Sequence, residues 1–201
     1  MSGPTVLTTA RLALRPFDEG DAGFILELLN DPEWLRYIGD KQVQSLDDAR
    51  RYLRDGPMAM QARHGHGLCC VERRSDGRPI GMCGLIRRDT LDDVDLGFAF
   101  LPRGRGQGHA REAATAMLAH GFVRLAFKRI VAITDLDNTA SGRVLEAVGM
   151  RFERIIEQGL APGAKPLRLF SADLPIAARH LRVLEREGLC LPIGFVPTPK
   201  A

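Results

Sequence analysis

The chain has 201 residues, 45% hydrophobic and 26% charged, which is enough to bury one sizeable core, and no shift in composition divides it. The formal net charge of +3 is too small for a nucleic-acid-binding surface, and no apolar run approaches the roughly 20 residues of a membrane span. The four cysteines lack the spacing of a disulfide framework, so we expect a single domain over residues 1–201, located in the cytoplasm, with no nucleic-acid or membrane partner.

The N-terminal part is predicted to form a strand and then a helix. Apolar residues alternate over residues 11–15, and Pro16 ends this first strand. Asp18 then caps a helix that Asn30-Asp31-Pro32 stops. Its apolar side chains recur at helical spacing: Phe24, Ile25, Leu28 and Leu29.

A second helix is predicted where Ser45 supplies an N-cap, and Gly56-Pro57 interrupts it. Trp34 and Tyr37 fall between the two helices, and we assign them to a loop. These aromatic side chains either line a ligand pocket or form the rim of the core.

The middle of the chain is predicted to form three strands and a long helix. Residues 67–101 read as three consecutive strands, with turn chemistry at residues 75–78 and an acidic turn at residues 89–93. A helix then runs over about residues 107–125. Its buried face has these members: Ala113, Ala114, Met117, Leu118, Phe122 and Leu125.

The remaining pattern completes a mixed α/β sheet. It predicts a fifth strand over residues 129–134 and a short helix over 140–148 that Gly149 closes. A final pair of strands is expected over 151–158 and 167–173.

Residues 95–111 carry the strongest functional signal, because an apolar strand enters a turn rich in arginine and glycine that opens a helix. Gly104, Gly106 and Gly108 allow a close approach of the backbone to an anion, and the first turn of the helix presents free N–H groups. Arg103 and Arg105 add positive charge. The segment therefore predicts a pyrophosphate site, although such turns also serve as plain connections between a strand and a helix.

Two familiar nucleotide-binding loops do not match this turn. A Walker A loop needs a lysine that the turn lacks. A dinucleotide-binding fingerprint requires Gly or Ala where His109 or Arg111 stands, although Asp135 follows as a candidate ribose-binding acid.

The motif Arg103-x-x-Gly106-x-Gly108 resembles the coenzyme A pyrophosphate loop of the GNAT superfamily of N-acetyltransferases. Residues 9–17 resemble the opening strand of its ribosomal-protein N-terminal acetyltransferase branch, and residues 80–85 resemble its central hairpin strand. Residues 138–150 resemble its second coenzyme-binding segment. The resemblance covers about residues 5–174, which we take as the core of the domain.

This resemblance implies a mostly antiparallel central sheet that is flanked by helices and splayed between its fourth and fifth strands. It also implies acetyl-CoA as co-substrate and no metal. The implied acceptor is a primary amine, on a protein N-terminus or a small molecule, that attacks the thioester directly in a ternary complex. Trp34 and Tyr37 become candidates for contact with the acceptor. The implied acetyl-CoA-binding residues are Phe98, Ala99, Phe100, Arg103, Gly104, Arg105, Gly106, Gln107, Gly108, His109, Ala110, Asn138 and Ser141.

Acetyl transfer to an amine requires a neutral amine, yet amines with a pKa of about 8 to 10.4 are mostly protonated near neutrality. Asp95 begins the strand before the coenzyme loop, where the resemblance implies a carboxylate that faces the acceptor. It is our candidate base, and the alternative is a solvated strand-end acid such as Asp92 or Asp93.

The resemblance also implies an oxyanion donor and a proton donor. A backbone N–H near residues 98–100 is expected at the splay to stabilise the oxyanion, and the Ser141 hydroxyl is expected near the sulfur. Asn138 is expected to hold pantetheine through its amide. These residue types also cap helices, and both roles can coexist. Tyr37 and Tyr52 lie too far upstream in sequence to match the tyrosine acid of other family members.

Several alternatives remain open at this point. The same fold can bind or sense acyl-CoA without catalysis, or the chain can be a nucleotide-binding module that uses Asp135. His64, His66, Cys69 and Cys70 offer metal-ligand types, but we expect no metal because the cysteines run into a strand.

Two further features bear on partners. Acidic residues at 89, 92, 93 and 95 would suit a cationic amine if they line the acceptor site, whereas a solvated turn explains them equally well. The C-terminal extension, residues 175–201, is predicted to contain a helix over 175–187 and to pack on the domain or on a second subunit, since a homodimer is common in this superfamily.

Overall fold

The computed structural model describes residues 5–157 and 165–173, which form one eight-stranded mixed sheet with helices on both faces. The strand order is β1-β2-β3-β4-β5-β6-β8-β7, and only β5 and β6 run parallel. This sheet confirms the predicted fold class. The strands are β1 Leu7–Thr8, β2 Leu12–Pro16, β3 Leu68–Arg73, β4 Arg78–Ile86, β5 Val94–Phe100, β6 Arg129–Asp135, β7 Arg151–Ile156 and β8 Leu167–Asp173.

The sheet opens between β5 and β6, which correspond to the predicted fourth and fifth strands. These two strands pair only at Val94 with Ile130 and at Asp95 with Val131. Beyond Asp95, β5 remains paired with β4 as far as Phe100, while β6 pairs with β8 along its whole length. A wedge-shaped gap therefore opens on the C-terminal side of Asp95.

Six α-helices lie in the described part of the chain: α1 Ala22–Leu29, α2 Pro32–Tyr37, α3 Leu46–Leu53, α4 Ala59–His64, α5 His109–Val123 and α6 Thr139–Ala147. The assignment of Trp34 and Tyr37 to a loop is wrong, because both lie in α2. Asn30 ends α1, and Asp31 caps α2 by accepting the N–H groups of Glu33 and Trp34. Pro32 occupies the first turn of α2, where it needs no N–H.

The predicted interruption at Gly56-Pro57 is a widened turn and not a break. Residues Arg54–Met58 form a π-helical turn that joins α3 to α4. Proline has no N–H and clashes with the preceding turn of a regular α-helix, and a wider turn relieves both problems. Gly56 and Pro57 consequently face the large cavity described below.

Two apolar clusters cover the two faces of the sheet. One cluster packs β2 to β6 against α5, and the other packs the opposite face against α1, α2 and α3. The adjacent Cys69 and Cys70 belong to different clusters because successive strand residues point to opposite faces. Cys69, Cys70 and Cys83 are buried free thiols, as expected, whereas Cys190 and the C-terminal extension lie outside the described residues.

Candidate active site

A cavity of about 870 Å³ occupies the gap between β5 and β6 and extends to both sides of the sheet. Its size is within the range of about 300–1,000 Å³ that is usual for ligand pockets. One end is lined by the glycine-rich loop, α5 and α6: Gly104, Arg105, Gly106, Gly108, His109, Ala110, Arg111, Asn138, Ala140, Ser141, Val144 and Leu145. The other end is lined by residues of α1 to α4 and their connections: Leu28, Glu33, Trp34, Tyr37, Ile38, Lys41, Tyr52, Gly56, Pro57 and Met60.

Backbone N–H groups that have no acceptor among the described residues lie in the glycine-rich loop at the first end of the cavity. Gly106 and Gly108 have φ angles of 71° and 78°, in the left-handed region that glycine adopts without a steric penalty. These turns expose a run of N–H groups from Gly106 to Ala110 that have no acceptor among the described residues. Such a run, at the positive end of the α5 dipole, is suited to binding a phosphate.

The arginine side chains of the loop are already engaged elsewhere. Arg103 does not line the cavity; its guanidinium pairs with Glu27 and donates to the Pro79 carbonyl at 3.2 Å. Hydrogen bonding to Arg103 holds the pKa of Glu27 below its usual value. Arg105 lines the cavity but pairs with the capping residue Asp31. The loop therefore offers an anion mainly its backbone, and its arginines tie it to α1 and to α2.

The remaining loop side chains support the turn from within. The Gln107 amide donates to the Arg103 carbonyl at 3.1 Å and does not line the cavity. The His109 ring is 3% exposed, and its Nδ1 lies 3.2 Å from the Gly104 carbonyl oxygen. His109 therefore packs against the loop, although it also lines the cavity.

Arg11 and Glu112 clamp the loop to the start of β2, and no sequence pattern indicated this contact. Arg11 donates through Nη1 to the Gln107 carbonyl at 2.8 Å and through Nε to Glu112 Oε2 at 2.6 Å. The Thr9 hydroxyl donates to Glu112 Oε1 at 2.5 Å. Burial of Glu112 opposes its ionisation, but these hydrogen bonds outweigh it and lower the pKa of Glu112. The clamp fixes the start of α5 relative to the loop.

The edge of β5 that faces the gap supplies backbone groups to the cavity. Phe98, Ala99 and Phe100 line it, and β4 covers only the opposite edge of this strand. Among the described strands none pairs with β5 beyond Asp95 on the β6 side. N–H and C=O groups on that edge are consequently available to a ligand.

Asp95 lies at the point where β5 and β6 diverge, and it lines the cavity while being only 1% exposed. Its Oδ2 accepts from Arg88 Nε at 2.6 Å, whereas its Oδ1 is buried without a hydrogen-bond partner. Burial raises the pKa of Asp95, and Arg88 together with the nearby backbone N–H of Ile133 offsets only part of that shift; the Ile133 N–H does not form a hydrogen bond of good geometry with Oδ1. A buried carboxylate oxygen without a donor is suited to accept a proton.

Asn138 and Ser141 face the same end of the cavity. The Asn138 Oδ1 accepts the N–H of Ser141 at 3.0 Å, so the helix-capping role considered from the sequence is present. The amide nitrogen of Asn138 and the hydroxyl of Ser141 have no partner in the described part of the chain, so both can still contact a ligand.

The second end of the cavity includes Tyr52, which was set aside from the sequence because of its distance along the chain, and Arg88, which the sequence did not single out. Trp34 and Tyr37 line it, but the indole N–H of Trp34 already donates to the Gly39 carbonyl at 3.1 Å. Tyr52 also lines the cavity, although it is remote from the loop in sequence. Burial raises the pKa of Tyr52 to about 12. Arg88, just after β4, is the second addition.

The four acidic residues at positions 89–95 do not form an acidic lining. Among them only Asp95 lines the cavity. Asp93 pairs with Arg129 at 3.0 Å, and the Asp92 carbonyl accepts from Arg87 at 2.7 Å. The turn carries these acids outwards, so the interpretation as a solvated turn holds for them and not for Asp95. Asp135 lines the cavity, but its Oδ1 accepts the N–H of Asp137 at 2.9 Å within a turn.

The histidine and cysteine residues near position 66 do not converge. His66 Nδ1 lies 2.9 Å from the Leu85 carbonyl oxygen, and burial raises the pKa of the Cys69 thiol to about 12. Within the described ranges, no three His, Cys, Asp or Glu side chains are placed to hold a metal ion. No helix in the same ranges is long and apolar enough to cross a membrane.

Comparisons with known proteins show similarities of sequence and of fold. The model of the acetyltransferase (GNAT) domain family matches residues 11–151. The Bacillus subtilis protein YkkB is 30% identical over 81% of this chain and 94% of its own, and the uncharacterized N-acetyltransferase YoaA of the same species is 27% identical over 80% and 91%. A crystal structure of RimL, a ribosomal L7/L12 alpha-N-protein acetyltransferase, shares the fold with a TM-score of 0.71 at 16% identity, over 87% of this chain and 100% of RimL.

Proposed function

Since this chain belongs to the GNAT acetyltransferase family, we propose that it transfers the acetyl group of acetyl-CoA to a primary amine by direct attack in a ternary complex. The observation that carries this proposal is the position of Asp95. Its unpartnered Oδ1 lies in a cavity that has a phosphate-binding run of N–H groups at one end and an aromatic-lined chamber at the other. A donor and an acceptor can therefore enter from opposite ends and meet at this carboxylate.

The residues at the first end fit coenzyme A. The N–H groups from Gly106 to Ala110 would hold the pyrophosphate, because they have no acceptor in the described chain and belong to one short turn at the start of α5. The open edge of β5 at residues 98–100 and the Asn138 amide would hold the pantetheine arm, whose amides need such partners. Acetyl-CoA supplies an activated thioester carbonyl to the gap between β5 and β6.

The proton transfers can be assigned to two side chains. Asp95 would accept the proton that the amine loses as its nitrogen bonds to the acetyl carbon, directly or through a water. A raised pKa makes this carboxylate a stronger base than an ordinary aspartate. As the carbon–sulfur bond breaks, the Ser141 hydroxyl would donate a proton to the thiolate and would regain one through water, while Asp95 releases to water the proton that it took from the amine. An N–H on the open edge of β5 would stabilise the oxyanion.

The test has a binding arm and a turnover arm. Calorimetric titration with acetyl-CoA, beside NAD, measures ligand selection, and release of the free thiol in the presence of a panel of primary amines measures transfer. Selective acetyl-CoA binding with amine-dependent thiol release supports the proposal. Binding without turnover across the panel would favour an acyl-CoA-binding protein without catalysis. Failure of the folded protein to bind acetyl-CoA would overturn both.

A further inference from the structure

Resting on this proposed function, we propose that the acetyl acceptor is an amine that also carries a carboxylate, and that Arg88 is the side chain that binds the carboxylate. The groups that carry this inference are the two halves of the Arg88–Asp95 ion pair. Each half has hydrogen-bonding capacity that the described chain leaves unused, and both line the same cavity.

Arg88 has donors to spare. A guanidinium has five N–H donors, and Arg88 uses Nε on Asp95, whereas its two terminal nitrogens have no acceptor in the described residues. The side chain is 40% exposed, so a ligand can reach those nitrogens. The bond to the buried Asp95 restricts its rotamers, which lowers the entropic cost of binding. A planar pair of N–H groups matches the two oxygens of a carboxylate.

Asp95 has an unused capacity to accept a hydrogen bond. Its Oδ1 is buried without a donor, so it is suited to an ammonium or amine hydrogen. An acceptor with an amine and a carboxylate a few bonds apart would satisfy both halves of the ion pair together. An amine without an acid would satisfy Asp95 alone and would leave the guanidinium to water.

The neighbouring charges favour the same ligand. Lys41 lines this end of the cavity and has no carboxylate partner within the described ranges. Glu33 is an acid on this side; it lies 3.3 Å from Arg105, which it shares with Asp31, and its side chain is 60% exposed, so Arg105 and solvent both weaken its charge. Tyr52, which also lines this end and interacts electrostatically with Arg88, has a hydroxyl that can donate to an anion.

The experiment compares acceptors that differ only in the acid. One arm sets glycine and alanine against glycinamide and alaninamide, and the other sets C-terminally amidated peptides that begin with Glu against those that begin with Gln. In at least one arm, we expect the substrate that carries the carboxylate to have a kcat/KM roughly 10- to 100-fold higher than its amide counterpart, mostly because its KM is lower. A preference in the first arm identifies free amino acids, and one in the second identifies acidic N-termini. The amine of an amino-acid amide is less basic than the amine of the free acid, so a larger fraction of the amide is neutral at a given pH. A preference for the acid therefore cannot result from a larger fraction of neutral amine.

Matched variants then assign the preference to Arg88. In R88Q the preference should fall to about equality, and in R88K part of it should remain, because lysine retains the charge without the fork. R87Q is the control, since Arg87 is a neighbouring arginine that donates to the Asp92 carbonyl and does not line the cavity. The inference would be overturned if the amides were acetylated as fast as the acids in both arms, or if R88Q kept the preference for the acid. Acetyl transfer itself would remain established in either case. Lack of turnover with every amine would instead refute the proposed function.

Discussion

Gly106 provides the most direct test of the proposed phosphate site, because a side chain there alters the ligand surface with little effect on packing. The residue has a φ of 71°, and a Cβ added to it would meet no atom within 4 Å. Gly106→Glu therefore costs only the left-handed backbone penalty, on the order of 1–2 kcal/mol. For a chain of this size that corresponds to a fall in Tm of roughly 2–8 °C.

The effect on binding should be much larger than the effect on stability. A carboxylate on the order of 5 Å from a phosphate oxygen, at an effective dielectric constant of about 20, adds about 3 kcal/mol of repulsion. We therefore expect acetyl-CoA to bind more than about 100-fold more weakly to Gly106→Glu. Calorimetry measures the affinity, and thermal unfolding in the same buffer measures the stability.

Two controls separate charge from backbone strain. Gly106→Ala introduces the backbone penalty without the charge, so it should destabilise the protein similarly and retain most of the affinity. Gly77→Glu introduces both at the β3–β4 turn, where φ is 65° and a Cβ is equally unobstructed, but this turn does not line the cavity. Gly77→Glu should leave binding unchanged. Wild-type affinity in a folded Gly106→Glu protein would refute the assignment of the pyrophosphate to this loop.

Four further substitutions test the clamp, a buried ion pair with an exposed pair as its control, and the base. Glu112→Ala should lower the free energy of unfolding by about 2–4 kcal/mol near neutral pH. Because the pKa of Glu112 is lowered from 4.5, its contribution to stability is present above that value and is lost as pH falls through the lowered pKa. Chemical denaturation that gave the same loss of stability for Glu112→Ala at every pH would contradict this role of the ionised carboxylate. Arg15→Met should cost about 3–5 kcal/mol, because it leaves Asp21, which Arg15 binds through two bonds of 2.7 and 2.8 Å, buried without its partner. Arg50→Met, which removes an exposed ion pair with Asp47, should lower the free energy of unfolding by less than about 1 kcal/mol. If denaturant titrations gave the same loss for Arg15→Met and Arg50→Met, burial would not be the reason that the Arg15 pair matters. Asp95→Asn should lower kcat by roughly 100-fold or more without weakening acetyl-CoA binding. It should also remove the rise of rate with pH that comes from ionisation of Asp95, which in the wild type lies above the ordinary aspartate range because burial raises the pKa, and leave only the rise that comes from deprotonation of the amine. A wild-type kcat and pH profile in this variant would exclude Asp95 as the base.

The sheet and most helices could be predicted from local sequence because their signals are local. Alternation over residues 11–15, turn residues at 75–78 and helical spacing over 107–125 each depend on neighbours within a few positions. The loop at residues 103–108 is also readable, since its glycines and the helix that follows determine both the turn and the exposed N–H groups. The short helix α2 was missed because Asp31-Pro32, a stop signal for one helix, is equally a start signal for another.

By itself, the sequence determined the order of most strands and helices, the glycine-rich turn and the family resemblance, because all three depend on contiguous residues. Only the tertiary structure decided which side chains meet at the gap. Arg88 and Tyr52 come from separate elements and reach Asp95's cavity through the packing of α3 and β4 around β5. Arg103 pairs with Glu27, which is 76 positions away in sequence, and so turns away from the cavity. Asp93 pairs with Arg129, which is 36 positions away, and so does not line the pocket. No local pattern encodes such contacts, since the energy of an ion pair depends on distance and burial in the folded state.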